Sequence, residues 1–230
     1  MLTLITYPAA FGEPSASPFC VKAIYLLNLS GHTWQREDTA DPRAWPKGKL
    51  PAIQQDDEII GDSDNIRTWL EGKGAQFDGG LSEIDRATSR AFIRMAEEHL
   101  YFHVLLDRWD NDAVWPSIRD TYFSAIPPLI RNLVTGRMRR AVVKGMLTQG
   151  LGRLSPEERM QRVEPDLQAI AARLWPGPFL FGSEPSAADA SVAPMLAAMA
   201  ATPCDTAMSR RIKQDDILAD YIERVANALG

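Results

Sequence analysis

The sequence predicts an α/β unit followed by an all-α unit, and three observations carry that reading. Up to about residue 80, short apolar runs of strand-like spacing alternate with helical stretches. After Leu81 every strong signal has helical period. Between the two, residues 72–80 hold four glycines and little apolar content, the composition of a linker. The expected domains are therefore residues 1–75 and residues 81–230.

In chain order, residues 2–7 read as an apolar strand and residues 17–29 as an amphipathic helix, with Ser17 at the N-cap and Pro18 in the first turn. Residues 33–37 form a second strand. Residues 50–54 and 58–60 flank the turn signal Asp56-Asp57 and read as a hairpin, followed by a helix over residues 63–71. The order is β-α-β-β-β-α. A parallel pair joined by a helix, then a hairpin and a closing helix, is the thioredoxin-like arrangement, with a short link where a further crossover could stand.

In the second unit Ser82 caps a long helix running to about Asp110, whose apolar positions Ile84, Ala87, Ala91, Met95 and Phe102 are expected mostly on one face. Pro127-Pro128 should break the following segment into two helices. Ser155-Pro156-Glu157-Glu158 combines an N-cap, a proline at the first helical position and a glutamate at N3, the pattern of a capping box. Ser186-Ala187-Ala188-Asp189 repeats the device with a shorter acid, and residues 217–229 form a last helix closing on Gly230.

Composition bounds the function. With 230 residues, 45% of them hydrophobic and 24% charged, the chain can build one large or two modest cores. A net charge of -5 argues against general nucleic-acid affinity, which needs a basic surplus. Cys20 and Cys204 cannot form a disulfide framework or a zinc site by themselves, which favours a reducing compartment. Residues 1–7 lack a basic n-region and a long apolar core, and no apolar run approaches the ~18 residues of a membrane span, so a cytoplasmic location is expected.

Ser17-Pro18-Phe19-Cys20 has the form of a C-x-x-C redox turn with its first cysteine replaced. A serine there cannot do redox work. Its hydroxyl can hydrogen-bond the sulfur of a thiol brought from outside, and the helix N-terminus, with about half a positive charge, favours a thiolate placed against it. The plainer reading, an ordinary serine cap followed by proline, explains the same residues.

Further motifs carry a resemblance. Leu50-Pro51-Ala52-Ile53, Gly61-Asp62-Ser63, Phe179-Leu180-Phe181-Gly182 and Ser186-Ala187-Ala188-Asp189 agree in order and spacing with the glutathione transferase superfamily. Within it, the run from Thr121-Tyr122-Phe123 to Pro127-Pro128, then Gln149-Gly150-Leu151-Gly152-Arg153 and Ser155-Pro156-Glu157-Glu158, is similar to the failed-axon-connections and metaxin-like branch, which is less securely enzymatic. The resemblance implies glutathione as cosubstrate, a homodimer and a division of labour in the site. Ser17 would stabilise the thiolate, Leu50 and Pro51, entered through a cis bond, would align the tripeptide backbone, and Asp62 and Ser63 would hold its γ-glutamyl end. Asp62 is one methylene shorter than the glutamate or glutamine of many relatives.

Other residues compete for roles. Tyr7 resembles the catalytic tyrosine of the tyrosine-type transferases and equally suits a strand-end aromatic covering the core. Cys20, one turn into the helix, either packs as a small apolar residue or serves a redox site. His99 and His103 share a helix face at i, i+4, but no third ligand stands at a convincing spacing and no metal is expected. Tyr101, Phe102 and Trp109 suit a pocket wall or the helical core. No Asp or Glu falls between Tyr122 and Ser155, a stretch that contains Arg131, Arg137, Arg139, Arg140, Lys144 and Arg153. It is either a solvated face or a docking site for an acidic partner, a membrane surface or an anion.

The function expected is conjugation of the glutathione thiolate to a small apolar electrophile. The alternatives are a non-catalytic metaxin-like interaction module, or a glutathione-dependent thiol transferase or peroxidase working through Cys20.

Overall fold

The computed structural model describes residues 1–230. Its sheet is built around β1 (Leu2–Thr6), buried along most of its length. β1 pairs in parallel with β2 (Trp34–Asp38) and antiparallel with β3 (Ala52–Gln55), and β3 pairs antiparallel with β4 (Glu58–Gly61), giving the order β2-β1-β3-β4. The parallel pair needs a crossover, which α1 (Pro18–Ser30) provides. α1 stops where Gly31 takes φ 71°, the left-handed cap that glycine adopts without a side-chain penalty. Two 3-10 turns, Pro42–Ala44 and Pro46–Gly48, form the link between β2 and β3. The β3–β4 hairpin turns at Asp56, also at positive φ, and α2 (Ser63–Gly72) closes the unit. This is the expected β-α-β-β-β-α order.

The helical part follows as α3 (Glu83–Met95), a π-helical turn over Ala96–Leu100, α4 (Tyr101–Trp109), α5 (Trp115–Tyr122), α6 (Pro128–Gln149), α7 (Pro156–Leu174), α8 (Ala187–Ala200), α9 (Ala207–Lys213) and α10 (Asp216–Leu229). Ser82 caps α3 through the Asp85 N–H, as the sequence predicts, and the long helix does run on through the π turn to Trp109. Its buried face is not the predicted one. Ser89, Ile93, Ala96, Leu100 and Val104 face the core, while Ile84 is 79% exposed. The reason is polar burial: Ser89 bonds to Asp78 and Glu97 pairs with Lys22, so two positions of the inward face do not read as apolar.

α8 is buried over most of its length and packs against α1, α3 and α10. A helix apolar on all sides belongs in a core, and a single cluster of 37 buried residues runs from Leu2 and Leu4 through α1 and α8 to Leu229. The start of α8 is pinned by Asp189, which accepts from the N–H groups of Leu180 (2.9 Å) and Ser186 (2.8 Å), the Ser186 hydroxyl (2.7 Å) and the Tyr221 hydroxyl (2.8 Å). Leu180 belongs to a tight turn in which Gly182 has φ 136°, a conformation that side chains disfavour. Ser155 and Glu158 form the predicted capping box of α7. Pro127-Pro128 separates α5 from α6, with Pro128 in the first turn of α6, where its missing N–H costs nothing.

Candidate functional site

β1 delivers the chain to Tyr7, and residues 8–16 carry it to the N-terminus of α1. Local bonds shape this loop. The hydroxyls of Thr6 and Ser15 bond each other (3.1 Å), Ser15 donates to the Tyr7 carbonyl (2.9 Å), and the Ala16 N–H reaches the Pro8 carbonyl (2.9 Å). Arg36 of β2 holds the Pro14 carbonyl at 2.8 Å. From the helical side, the Tyr122 hydroxyl donates to the Ala16 carbonyl (3.1 Å) and accepts from the buried Arg108 guanidinium (2.6 Å), which also bonds the Ala198 carbonyl (2.6 Å) and lies over the Phe11 ring.

Ser17 is the N-cap of α1 by backbone conformation, with φ -112° and ψ 125°, yet its side chain takes no hydrogen bond from the helix. The serine at the cap is therefore not spent on capping. Ile5, Cys20, Leu50 and Ala52 form a small buried cluster with Tyr7 and Trp45 packed against it, so Tyr7 and Leu50 meet beside the first turn of α1. Leu50-Pro51 is cis, as the resemblance implies. Leu50 is buried, and neither its backbone N–H nor its carbonyl has a partner within the protein.

The Pro51 carbonyl accepts the Asp62 N–H at 3.1 Å, which joins this corner to the start of α2. Asp62 sits at φ 81° and ψ 128°, strained for a residue with a side chain, and its carboxylate accepts the Asp64 N–H at 2.9 Å. Ser63 is buried, and its hydroxyl, unbonded within the protein, still reaches solvent. Asp64 turns away to Arg90 and Arg94 (2.7–2.8 Å), and the Arg90 bonds hold its carboxyl well below the usual carboxylate range.

The candidate nucleophile and base positions differ sharply. Tyr7 has its phenol pushed up to about 12, first by burial and then by Cys20 and Asp41, so it is a neutral donor. Burial pushes the Cys20 thiol up as well, against the opposing pull of the Thr6, Ser15 and Ser17 hydroxyls and the Tyr7 backbone. Cys20 is fully buried. A redox role at Cys20 requires an exposed, acidic thiol, and the structure provides the reverse.

Of the aromatic trio on the long helix, Tyr101 turns toward the α/β unit, its ring edge-on to Phe19 at 4.7 Å, with its phenol pushed up to about 12 by burial. Phe102 packs with Leu106, Met146 and Leu151 within the helical part, and Trp109 with Val114, Trp115 and Ile118, a cluster against which Phe11 also packs. His99 pairs with Asp166, whereas His103 lies buried against the His99 ring with neither ring nitrogen bonded. An open cavity of about 650 Å³ lies where Phe11 and Glu13 meet Ala197, Ala200, Lys213 and Ile222, and its lining includes none of Ser17, Leu50 or Ser63.

Two participants escape the sequence reading, Ser15 and Arg108. Ser15 is hidden in a loop without periodicity. Arg108 has a sequence signal, a lone cation in the run Val104-Leu105-Leu106-Asp107-Arg108-Trp109, but nothing that names its partner.

The architecture defines a class: a thioredoxin-like α/β unit with a helical domain packed on it. Comparisons narrow that class. Residues 18–114 match the glutathione S-transferase N-terminal domain, and residues 157–224 match the glutathione S-transferase C-terminal domain. The isoprene-epoxide–glutathione S-transferase of Rhodococcus sp. (strain AD45) is 33% identical over 98% of both chains. The failed axon connections protein of Drosophila melanogaster is 30% identical over 76% of this chain, which spans 44% of that protein. Human metaxin-2 is 24% identical over 64% of this chain and 56% of its own length. Among solved structures, a glutathione transferase from Phanerochaete chrysosporium superposes with a TM-score of 0.67 at 19% identity, covering 98% of this chain and 96% of its own. The chain belongs to the glutathione S-transferase superfamily, with metaxin-like relatives.

Proposed function

We propose that this protein conjugates the glutathione thiolate to a small apolar electrophile, with an epoxide as the class to try first. One observation carries the reading: Leu50, buried beside the first turn of α1, has no partner inside the protein for its backbone N–H or its carbonyl. The Ser17 side chain beside it does not cap α1, and the Ser63 hydroxyl at the start of α2 stays open to solvent. Buried backbone polar groups are normally paired, so Leu50 calls for an external partner. An extended tripeptide can pair its cysteinyl backbone with Leu50 as an added strand would, leaving its γ-glutamyl end for Asp62 and Ser63 at the start of α2.

The thiol then lies at the start of α1, where the helix N-terminus and the Ser17 hydroxyl favour its ionised form. The thiolate attacks an epoxide carbon, the carbon–oxygen bond breaks, and the resulting alkoxide takes a proton from solvent. Of the two residues weighed for activating the sulfur, Ser17 is favoured, and Tyr7 with its raised phenol serves as a neutral hydrogen-bond donor. The name of the Rhodococcus relative supports the electrophile class. The same reading includes a homodimer, a cytoplasmic location and the division at residues 1–75 and 81–230.

Calorimetric titration with glutathione tests the proposal. Binding that weakens in Ser17→Ala and is unchanged in Cys20→Ala supports it. Absence of binding at millimolar glutathione removes it and favours the second reading, a metaxin-like interaction module, which the failed-axon-connections and metaxin relatives support.

A further inference from the structure

α6 presents to solvent a face that a folded chain normally hides. Its buried residues are Thr135 and Met146. On the opposite side, Leu129, Leu133, Arg137, Arg140 and Lys144 follow one another at i, i+4, i+8, i+11 and i+15, which at 3.6 residues per turn is a single stripe. Leu129 is 98% exposed and Leu133 62% exposed, with Ile130, Val134 and Met138 exposed beside them.

The charge on this face is equally one-sided. The chain carries a net -5, yet residues 123–154 contain no acid. Two arginines of α6 are engaged from the inner side, Arg131 with the Ser124 and Ile126 carbonyls and Arg139 with the Trp109 carbonyl and Asp112. Arg137, Arg140 and Lys144 are exposed, and their charged side-chain ends make neither hydrogen bonds nor ion pairs.

We propose that this stripe of α6 binds an anionic lipid surface. The leucines of the first two turns enter the apolar boundary, and the three cations meet lipid phosphates and carboxylates on their long side chains. A two-fold contact with α6 on the axis would set α6 against its own copy and bring no acid opposite the cations, because the segment has none. No helix of the structure is long and apolar enough to cross a membrane, which leaves surface association as the mode for α6.

Co-sedimentation of the full chain with vesicles tests this, using phosphatidylcholine alone and phosphatidylcholine with about 30% phosphatidylserine. Binding is expected only to the mixed vesicles and should weaken as salt rises. Arg137→Gln with Arg140→Gln should weaken it about thirtyfold, roughly fivefold per cation near a charged surface. Leu129→Glu with Leu133→Glu should abolish it, with circular dichroism and glutathione binding matching the parent because both leucines are on the outside. Equal binding to both vesicle types, binding that survives the leucine variant, or no vesicle binding overturns the proposal. So does binding of polyglutamate, or self-association lost in the leucine variant, when vesicles are not bound.

Discussion

Asp62 donates its backbone N–H to the carbonyl of Pro51 at 3.1 Å, so two motifs that lie eleven residues apart in the sequence form one structural unit. The bond holds Asp62 at φ 81° while its carboxylate caps α2. Strain of this kind costs about 1–3 kcal/mol and persists where the surroundings over-determine it, which is common at ligand sites.

A pair of substitutions at this residue separates strain from binding. Asp62→Ala keeps the unfavourable φ and loses the cap, and should destabilise the fold by about 1–2 kcal/mol. Asp62→Gly loses only a few tenths of a kcal/mol of capping and relieves the φ, so it should melt close to the parent. Thermal unfolding ranks the two. Both should raise KM for glutathione if the carboxylate holds the tripeptide amine, and an unchanged KM would remove Asp62 from that role.

Ser17→Ala should separate fold from function in the same way. Because the side chain makes no capping bond, the stability loss should stay below about 0.5 kcal/mol. A hydrogen bond to a charged sulfur contributes about 1.5–3 kcal/mol, so kcat/KM should fall between about tenfold and a hundredfold. The thiolate absorbance of bound glutathione, followed against pH, should titrate at higher pH in the variant. If the two titrations coincide, Ser17 does not stabilise the thiolate.

Much of the fold is legible because period and punctuation agree in most elements. Ser82, the Ser155–Glu158 box and the Pro127-Pro128 break end or start helices where the sequence places them. The inward face of the long helix from α3 through the π turn is obscured by burial of polar residues, Ser89 against Asp78 and Glu97 against Lys22. The site divides along the same line. Residues in local motifs, such as Ser17 and Ser63, can be picked out singly. The hold of Tyr122 and Arg108 on the loop before Ser17 joins residues about a hundred positions apart, and no local pattern encodes it.

That hold yields a further expectation. Tyr122→Phe removes the donor to the Ala16 carbonyl and the acceptor of Arg108, leaving a buried guanidinium N–H without its partner. The cost should be about 1–3 kcal/mol in urea unfolding. The loop before Ser17 should loosen, with glutathione affinity falling several-fold and the pH profile of conjugation unchanged, since Tyr122 positions Ser17 and does not itself exchange the proton. A shifted profile would instead place the Tyr122 hydroxyl in the chemistry.

His103 makes the fold sensitive to acid. It is buried with both ring nitrogens unbonded, and burial, reinforced by His99, Arg159 and Arg162, holds its pKa down at about 3 against an ordinary 6.5. The unfolded chain takes up a proton near pH 6.5 that the folded chain refuses until about pH 3, so between these values unfolding binds one more proton. Stability from this residue is fully present above pH 6.5 and is lost as pH falls, by about 1.4 kcal/mol per pH unit. His103→Phe keeps an aromatic ring in place, removes the two unsatisfied nitrogens and abolishes the titration. Urea unfolding at about pH 7 and pH 5 should show the parent losing roughly 2 kcal/mol more than the variant over that interval, with carboxylates contributing alike to both. Equal losses would mean that His103 finds a proton or a partner in the folded protein.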